Sequence, residues 1–228
     1  MRSEAGVTAI ILCYHKVGPA SSEGRWLNVE PWRLRAHVRL FGRRGYTFVR
    51  GGDLSVAWPD RCVCFTFDDA YASALSNAVP ILEEFGGIGT FYAVASKVGQ
   101  DSAWDGERSR PLASWNELRQ AQSRGHEIGN HTLDHVRLAE VPFEEQKRQI
   151  SEADRMLRQE GIQPKSFCYP YGSLSDHSAL GDYRIGLGLE KRVACRSDDL
   201  LRLPRIIPSF SDSLALLLYK IYIRPKLP

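Results

Sequence analysis

The segment Arg61-Cys-Val-Cys-Phe-Thr-Phe-Asp-Asp-Ala70 joins a strand that is apolar from Arg61 to Phe67 to two carboxylates placed at its end without a spacer. A continuous apolar run of this length fits a strand buried on both faces, as in a parallel sheet covered by helices. Adjacent acids are poor strand formers and repel each other when both are ionised and dry. Taken alone, the pair has two readings. Asp commonly caps a helix, and Ala72 to Phe85 has helical character, so the acids would start that helix. The other reading is a site, and it depends on what the rest of the chain brings to the same place.

Strands and helices alternate on both sides of this segment. Thr8 to Tyr14 reads as a core strand ending in His15, followed by a Gly/Ser-rich loop from Gly18 to Gly24. Pro31 opens a helix through about Arg44, with Leu34, Val38 and Phe41 on one face and Gly45 as its stop. Tyr46 to Val49 is a short strand, and a short helix begins near Asp53-Leu54. The helix Ala72 to Phe85 stops at Gly86-Gly87, and Ile88 to Ala95 is a strand. Gly99 to Arg110 has loop composition. Ser114-Trp-Asn-Glu117 is a capping box for a helix that runs to Gly125. His126 to Gly129 is a strand leading to Asn130-His131, and Pro142 opens a long amphipathic helix closed by Gly161. Phe167-Cys-Tyr-Pro-Tyr-Gly172 ends the next strand; Lys191 to Cys195 and Leu201 to Ile207 give two more. A terminal helix occupies 211–223, with Ser211-Asp212 as its cap. This alternation predicts an α/β fold of seven or eight parallel strands, a closed or nearly closed (β/α)7-8 barrel, in a single domain over 1–228.

Composition excludes several classes. A length of 228 residues with 43% hydrophobic and 25% charged side chains is ordinary for a globular domain with a substantial core. A net charge of +3 with no dense Lys/Arg run argues against nucleic acid as a partner. Cys13, Cys62, Cys64, Cys168 and Cys195 are odd in number, and three lie in apolar runs, which predicts buried free thiols. The Cys62-Val-Cys64 pair has no second pair with which to hold a soft metal. The apolar run Val7 to Tyr14 is short, follows an acid and lacks a cleavage site, so no secretory signal is expected and a cytoplasmic enzyme is the default.

In such a barrel the active site lies where strands end. Asp68, Asp69, His131, His135, Tyr171 and His15 each fall just after a strand. His131-Thr-Leu-Asp-His135 sets two imidazoles four residues apart, which on a helical turn would share one face and bind one metal ion. Two His and one carboxylate with open positions suit a hydrolytic zinc site or a non-haem iron site. The acid pair supplies both a ligand and a spare base.

These segments resemble the motifs of a known family. Thr66-Phe-Asp-Asp-Ala70 is similar to the TFDDG motif of the polysaccharide deacetylases, the NodB-type carbohydrate esterases. Gly125-His-Glu-Ile-Gly-Asn-His-Thr-Leu-Asp-His135 resembles their second motif, and Phe167 to Gly172 their third. The resemblance spans about His15 to Ile207 and implies a distorted barrel and a metal-dependent N-deacetylase acting on an N-acetylated sugar. It implies that Asp69, His131 and His135 bind a divalent metal, Zn2+ first, with Co2+ or Ni2+ as alternatives. It makes Asp68 the general base, and assigns the substrate and oxyanion contacts to Tyr169, Pro170 and Tyr171.

Three departures stand out. Ala70 replaces the usual Gly after the acids. Cys168 stands where the third motif often carries an Arg, for which Arg205 in Leu203-Pro-Arg-Ile206 is the candidate substitute. The late histidine that serves as acid is missing, since none follows His177. Leu12-Cys-Tyr-His15 ends the first strand in the manner of the poly-N-acetylglucosamine deacetylase-like branch, which makes His15 the expected acid, with His177 in reserve. The substrate would be a free, nucleotide-linked or lipid-linked N-acetylated saccharide. A deformylase of a lipid-linked N-formyl sugar, a carbohydrate-binding relative without catalysis and an iron(II) oxygenase are the alternatives. The terminal helix, with Leu214, Leu216, Leu217, Leu218, Ile221 and Ile223 beside Lys220, Arg224 and Lys226, either closes the barrel or makes a peripheral contact at the inner face of a membrane.

Overall fold

Period-two alternation along each strand decides which side chains enter the barrel and which meet the helices. The computed structural model describes residues 8–224. Strands β1 (Thr8–Tyr14), β2 (Cys62–Phe67), β3 (Gly89–Ala93), β4 (Glu127–Asn130), β5 (Phe167–Cys168) and β6 (Gly186–Leu187) pair in that order, all parallel. Residues 203–206 form a seventh stave between β6 and β1. Leu203 N donates to Gly186 O at 2.9 Å and Leu203 O accepts from Gly188 N at 2.8 Å. Ile206 N donates to Ile11 O, and Ile206 O accepts from Cys13 N, both at 2.8 Å. The sheet is therefore a distorted (β/α) barrel, fully laddered over β1 to β4 and held by two-residue strands and single bridges on its late side.

The helices α1 (Pro31–Arg43), α2 (Ala72–Glu84), α3 (Trp115–Ser123), α4 (Phe143–Gln159) and α5 (Leu214–Tyr222) cover the outside. Ile10, Leu12, Tyr14, Val63, Phe65, Phe67 and Phe91 alternate outward and share one cluster with Leu34, Val38 and Phe41 of α1 and Leu75, Val79 and Leu82 of α2. Ala9, Ile11, Cys62, Cys64, Tyr92, Cys168, Leu187 and Leu203 form a separate inner cluster. Small inner residues make room for one large ring. A Cβ on Gly129 would stand 2.3 Å from Tyr92 Cε1, so that position tolerates no side chain. At the strand N-termini the interior is polar: Tyr92 meets Ser166 Oγ at 2.7 Å, Ser166 donates to Glu127 Oε1 at 2.7 Å, and Gly52 N donates to Glu127 Oε2 at 2.8 Å.

Three expectations need correction. Lys191 to Cys195 is not a parallel stave; Ala194 and Cys195 pair antiparallel with the start of β1. Leu201 to Ile207 is a single helical turn, Leu200–Arg202, followed by two bridges, because Pro204 has no N–H to give a ladder. The terminal helix is shorter than 211–223, since Ser213 rather than Ser211-Asp212 caps it and accepts from Leu216 N. That helix buries Leu217 and Ile221 and leaves Leu214, Leu216 and Ile223 exposed. Lys226 lies outside the described residues. Among those residues the cysteines are free, four of them buried, and no helix is long and apolar enough to cross a membrane.

His37 of α1 sits fully buried, with Nδ1 and Tyr14 Oη hydrogen-bonded at 2.9 Å and Nε2 without a partner. Burial, reinforced by Arg33, lowers its pKa to about 4. The folded value thus lies below the unfolded value of about 6.5, so the unfolded chain takes up a proton first. Stability from this residue is complete above pH ~6.5 and falls by roughly 3 kcal/mol as pH drops toward ~4. Urea unfolding at pH ~7 and ~4.5 should show His37→Gln losing distinctly less stability across the interval than the wild type; equal losses would assign the acid sensitivity elsewhere.

Candidate active site

Cys62, Cys64 and Thr66 point into the barrel, and the same alternation carries Asp68 inward at the strand's end. There it meets Arg205 of the seventh stave. Arg205 Nη1 donates to Asp68 Oδ1 at 2.6 Å and Nη2 to Asp68 Oδ2 at 2.7 Å, with the guanidinium wholly buried. The remaining three N–H groups are also used: Nε donates to Gly188 O at 2.9 Å, Nη1 to Thr66 Oγ1 at 3.0 Å, and Nη2 to Cys168 Sγ at 3.1 Å. Cys13 Sγ donates to Asp68 Oδ2 at 3.4 Å. Burial by itself would raise the Asp68 carboxyl, but the Arg205 charge outweighs it and holds Asp68 far below the usual carboxylate range. Burial pushes the Cys13 and Cys168 thiols up, so both remain protonated beside the pair.

Asp69 is treated differently. Its Oδ1 is buried without a hydrogen-bond partner, and the Nε2 atoms of His131 and His135 face it at 3.4 and 3.1 Å. His131 Nδ1 lies 2.7 Å from Cys168 O, which fixes the proton on Nδ1 and leaves the Nε2 lone pair turned toward Asp69. A lone pair and a carboxylate oxygen aimed at each other repel unless a cation stands between them. One carboxylate oxygen and two imidazole nitrogens, each within 4.8 Å of the others, form a donor set that fits a divalent metal such as zinc, with open positions left over. Burial raises the Asp69 carboxyl, yet His135 and His131 lower it well below its ordinary value. Burial lowers His131, and Asp69 and Asp68 raise it further than that.

The two histidines converge without the helical turn expected of them. Residues 131–135 form an irregular loop in which Thr132 (φ 69°) and His135 (φ 60°) are left-handed. Side-chain bonds replace the helix. Asn130 Oδ1 accepts from Thr132 N at 2.8 Å, Thr132 Oγ1 accepts from His135 N at 3.1 Å, and Asp134 is held by Ser96 and Gln149. The rings end 5.1 Å apart.

His15 also reaches the site: a ring nitrogen, Cys13 Sγ and an Asp68 oxygen lie within 4.8 Å of one another. Burial lowers the His15 pKa against the pull of Asp68 and Asp69. Tyr171, in a left-handed turn at φ 57°, lays its ring 4.5 Å from that of His135, and the Arg137 guanidinium stacks on the Tyr171 ring at 4.0 Å. Pro170 is buried in the same turn. Tyr169 is turned into the core, with its hydroxyl donating to Leu201 O at 2.9 Å, and has no surface to offer a saccharide. His177 lies away from the cluster, beside Arg202 and Asp199. Trp104, which the sequence reading passed over, packs with its ring 4.3 Å from that of His135. A lone Trp within the polar stretch Gly99 to Arg110 was the available signal. Tyr71, Ser102 and Asp105 tie that loop down.

A family profile described as polysaccharide deacetylase matches residues 56–187, more than half of the chain. The chain belongs to the polysaccharide deacetylase family. It is thus a member of a family of hydrolases that deacetylate saccharides and generally depend on a divalent metal. YxkH of Bacillus subtilis is 23% identical over 220 residues, covering 90% of this chain and 73% of that protein. A chitooligosaccharide deacetylase of Azorhizobium caulinodans is 33% identical over 129 residues, 55% of each. Among solved structures, the Streptococcus pyogenes deacetylase PplD in complex with acetate superposes with a TM-score of 0.82 at 20% identity, over 94% of this chain and 98% of that one. That likeness establishes the shared barrel.

Arg205 brings its guanidinium to Asp68 with Nη2 3.1 Å from Cys168 Sγ. Removing it would leave Asp68 as a buried charge without a counterion. Arg205→Met should therefore destabilise the fold by roughly 3–5 kcal/mol in urea titrations, and Asp68→Asn in the same chain should recover part of that loss. A full-strength Arg205→Met protein would show that the pair is not a structural tie.

Proposed function

We propose that this chain is a divalent-metal-dependent N-deacetylase, hydrolysing the acetamide of an N-acetylated amino sugar in a glycan or glycolipid precursor. The observation that carries this is the contrast within one acid pair: Asp68 saturated by Arg205, and Asp69 unsatisfied between two imidazole nitrogens. Asp69, His131 and His135 would hold the metal. When bound there, the ion lowers the pKa of a ligated water toward ~7 and polarises the acyl oxygen.

Asp68 is ionised and fixed in orientation by its two bonds to Arg205, which suits it to accept a proton from the water attacking the amide carbon. The new C–O bond forms as that proton moves to Asp68. Cleavage of the C–N bond requires a proton on the departing amine, and His15, close to Asp68, is placed to carry it. A His15 lowered by burial starts neutral, so the proton taken by Asp68 can be the one His15 passes on. The products are acetate and the free amino sugar. Tyr171 and Trp104, both packed against His135, would border the saccharide, and the turn at Tyr171 would supply backbone donors toward the acyl oxygen.

The test is acetate and formate release from a panel of N-acylated sugars, free and lipid-linked, by zinc- or cobalt-loaded protein. Asp68→Asn and His15→Ala should each lower kcat by about 10²–10⁴-fold while leaving one metal per chain. Chelation should abolish turnover, and zinc or cobalt should restore it. Asp68→Asn with wild-type activity would refute the base assignment, and formate release without acetate release would make the enzyme a deformylase.

A further inference from the structure

Charge is distributed unevenly over the outer layer. Residues 31–44 and 213–224 contain seven Lys or Arg and no Asp or Glu, in a chain whose net charge is +3, so the remainder is net acidic. These two stretches are α1 with its C-terminal cap and α5 with its flanks, and they lie side by side. Leu217 and Ile221 of α5 join Leu34, Val38 and Phe41 of α1 in the core, Tyr46 and Tyr222 share a hydrogen bond at 2.6 Å, and Arg33 donates to Asp212 O. Between them runs a groove of about 450 Å³ lined by Trp32, Arg39, Leu40, Arg43 and Leu214.

The outer face of this pair is apolar and cationic together. Trp32 is 58% exposed and Ile223 52%, with Leu214, Leu216, Tyr219 and Tyr222 exposed along α5. Arg39, Arg43, Arg44 and Arg224 are exposed on the same two segments, and Arg35 pairs with Glu84. Neither property alone identifies an occupant. Arginines facing their own copies would repel across a symmetric dimer, whereas exposed Leu and Ile gain nothing from an aqueous polyanion. An anionic lipid surface satisfies both: the cations meet headgroup charge while Trp, Tyr, Leu and Ile enter the headgroup–acyl boundary.

We infer that the α1–α5 face docks the protein on a membrane carrying anionic lipid. The inference does not depend on the deacetylase chemistry, since none of these residues belongs to the site. The full chain should pellet with vesicles of equimolar phosphatidylcholine and phosphatidylglycerol, far less with phosphatidylcholine alone, and progressively less as salt rises. The double variant Arg39→Glu/Arg43→Glu should weaken the vesicle affinity at least about tenfold, and Leu216→Ser/Ile223→Ser should weaken it as well; both leave acetate release from a soluble substrate unchanged. Equal pelleting on both vesicle types, pelleting on neither, or a vesicle-free dimer in sedimentation velocity that Leu216→Ser/Ile223→Ser dissolves would each overturn it.

Discussion

The buried pair of Asp68 and Arg205 ties together more of this molecule than any other contact. All five N–H groups of the guanidinium find acceptors, drawn from β2, from the end of β5, from the residue after β6 and from Asp68 itself. A buried ion pair is stabilising only if geometry and further bonds offset the loss of hydration, and here no donor is left over. The late side of the barrel has short strands and single bridges, so little backbone ladder holds it shut. Arg205 supplies a side-chain weld across that seam, 137 residues from its partner in sequence. The same bonds orient the carboxylate at the mouth of the barrel. Closure of the fold and placement of this carboxylate are one interaction.

Its neighbour shows the opposite design. Asp69 follows Asp68 directly, yet a left-handed backbone at φ 65° turns it off the strand's alternation toward β4 and the loop after it. Its Oδ1 has no hydrogen-bond partner; the His131 ring is held by Cys168 O, while the His135 ring, whose Nδ1 also lacks a partner, packs against Trp104 and Tyr171. Two like charges one residue apart would raise each other's pKa if they shared surroundings. They do not share them, since one is neutralised by a guanidinium and the other lies among imidazoles, and both are lowered. Adjacent acids can remain ionised in a dry site only when each has its own positively charged partner.

Much of this is legible in the amino-acid sequence. The apolar strand ending in Asp68-Asp69, the His131/His135 spacing and the alternation of strands and helices named the barrel and the core of the site, because each leaves a local pattern. Arg205 was a candidate only through the resemblance, whose third motif often carries an Arg where Cys168 stands; its pairing with Asp68 is a contact made in the fold. What the pattern hid depends on contacts distant in sequence. Nothing in His131-Thr-Leu-Asp-His135 announces that Asn130 and Thr132 hold it in a left-handed loop instead of a helix. Lys191 to Cys195 has strand composition, but its direction is set by the chain returning along β1. Trp104 sits in a loop whose polarity argued only for exposure, and its place against His135 follows from Tyr71 and Ser102 gripping Asp105.

Backbone conformation is where these strands of chemistry meet. Seven non-glycine residues among those described have positive φ, and five of them, Asp69, Ala70, Thr132, His135 and Tyr171, stand at the barrel mouth. Each costs on the order of 1–3 kcal/mol relative to a relaxed residue. Ala70 makes the point most plainly, because a glycine there would adopt φ 49° without penalty. Strain of that size persists only where neighbouring contacts over-determine the geometry. Around Asp68 the contacts are the five guanidinium bonds; around His135 they are Thr132, Trp104 and Tyr171. The early side of the barrel, β1 to β4, is fully laddered, and its stability can be drawn on at the mouth. A site that must keep a carboxylate and two imidazole nitrogens converging on one point cannot rely on relaxed loops, which would let the three atoms separate and hydrate.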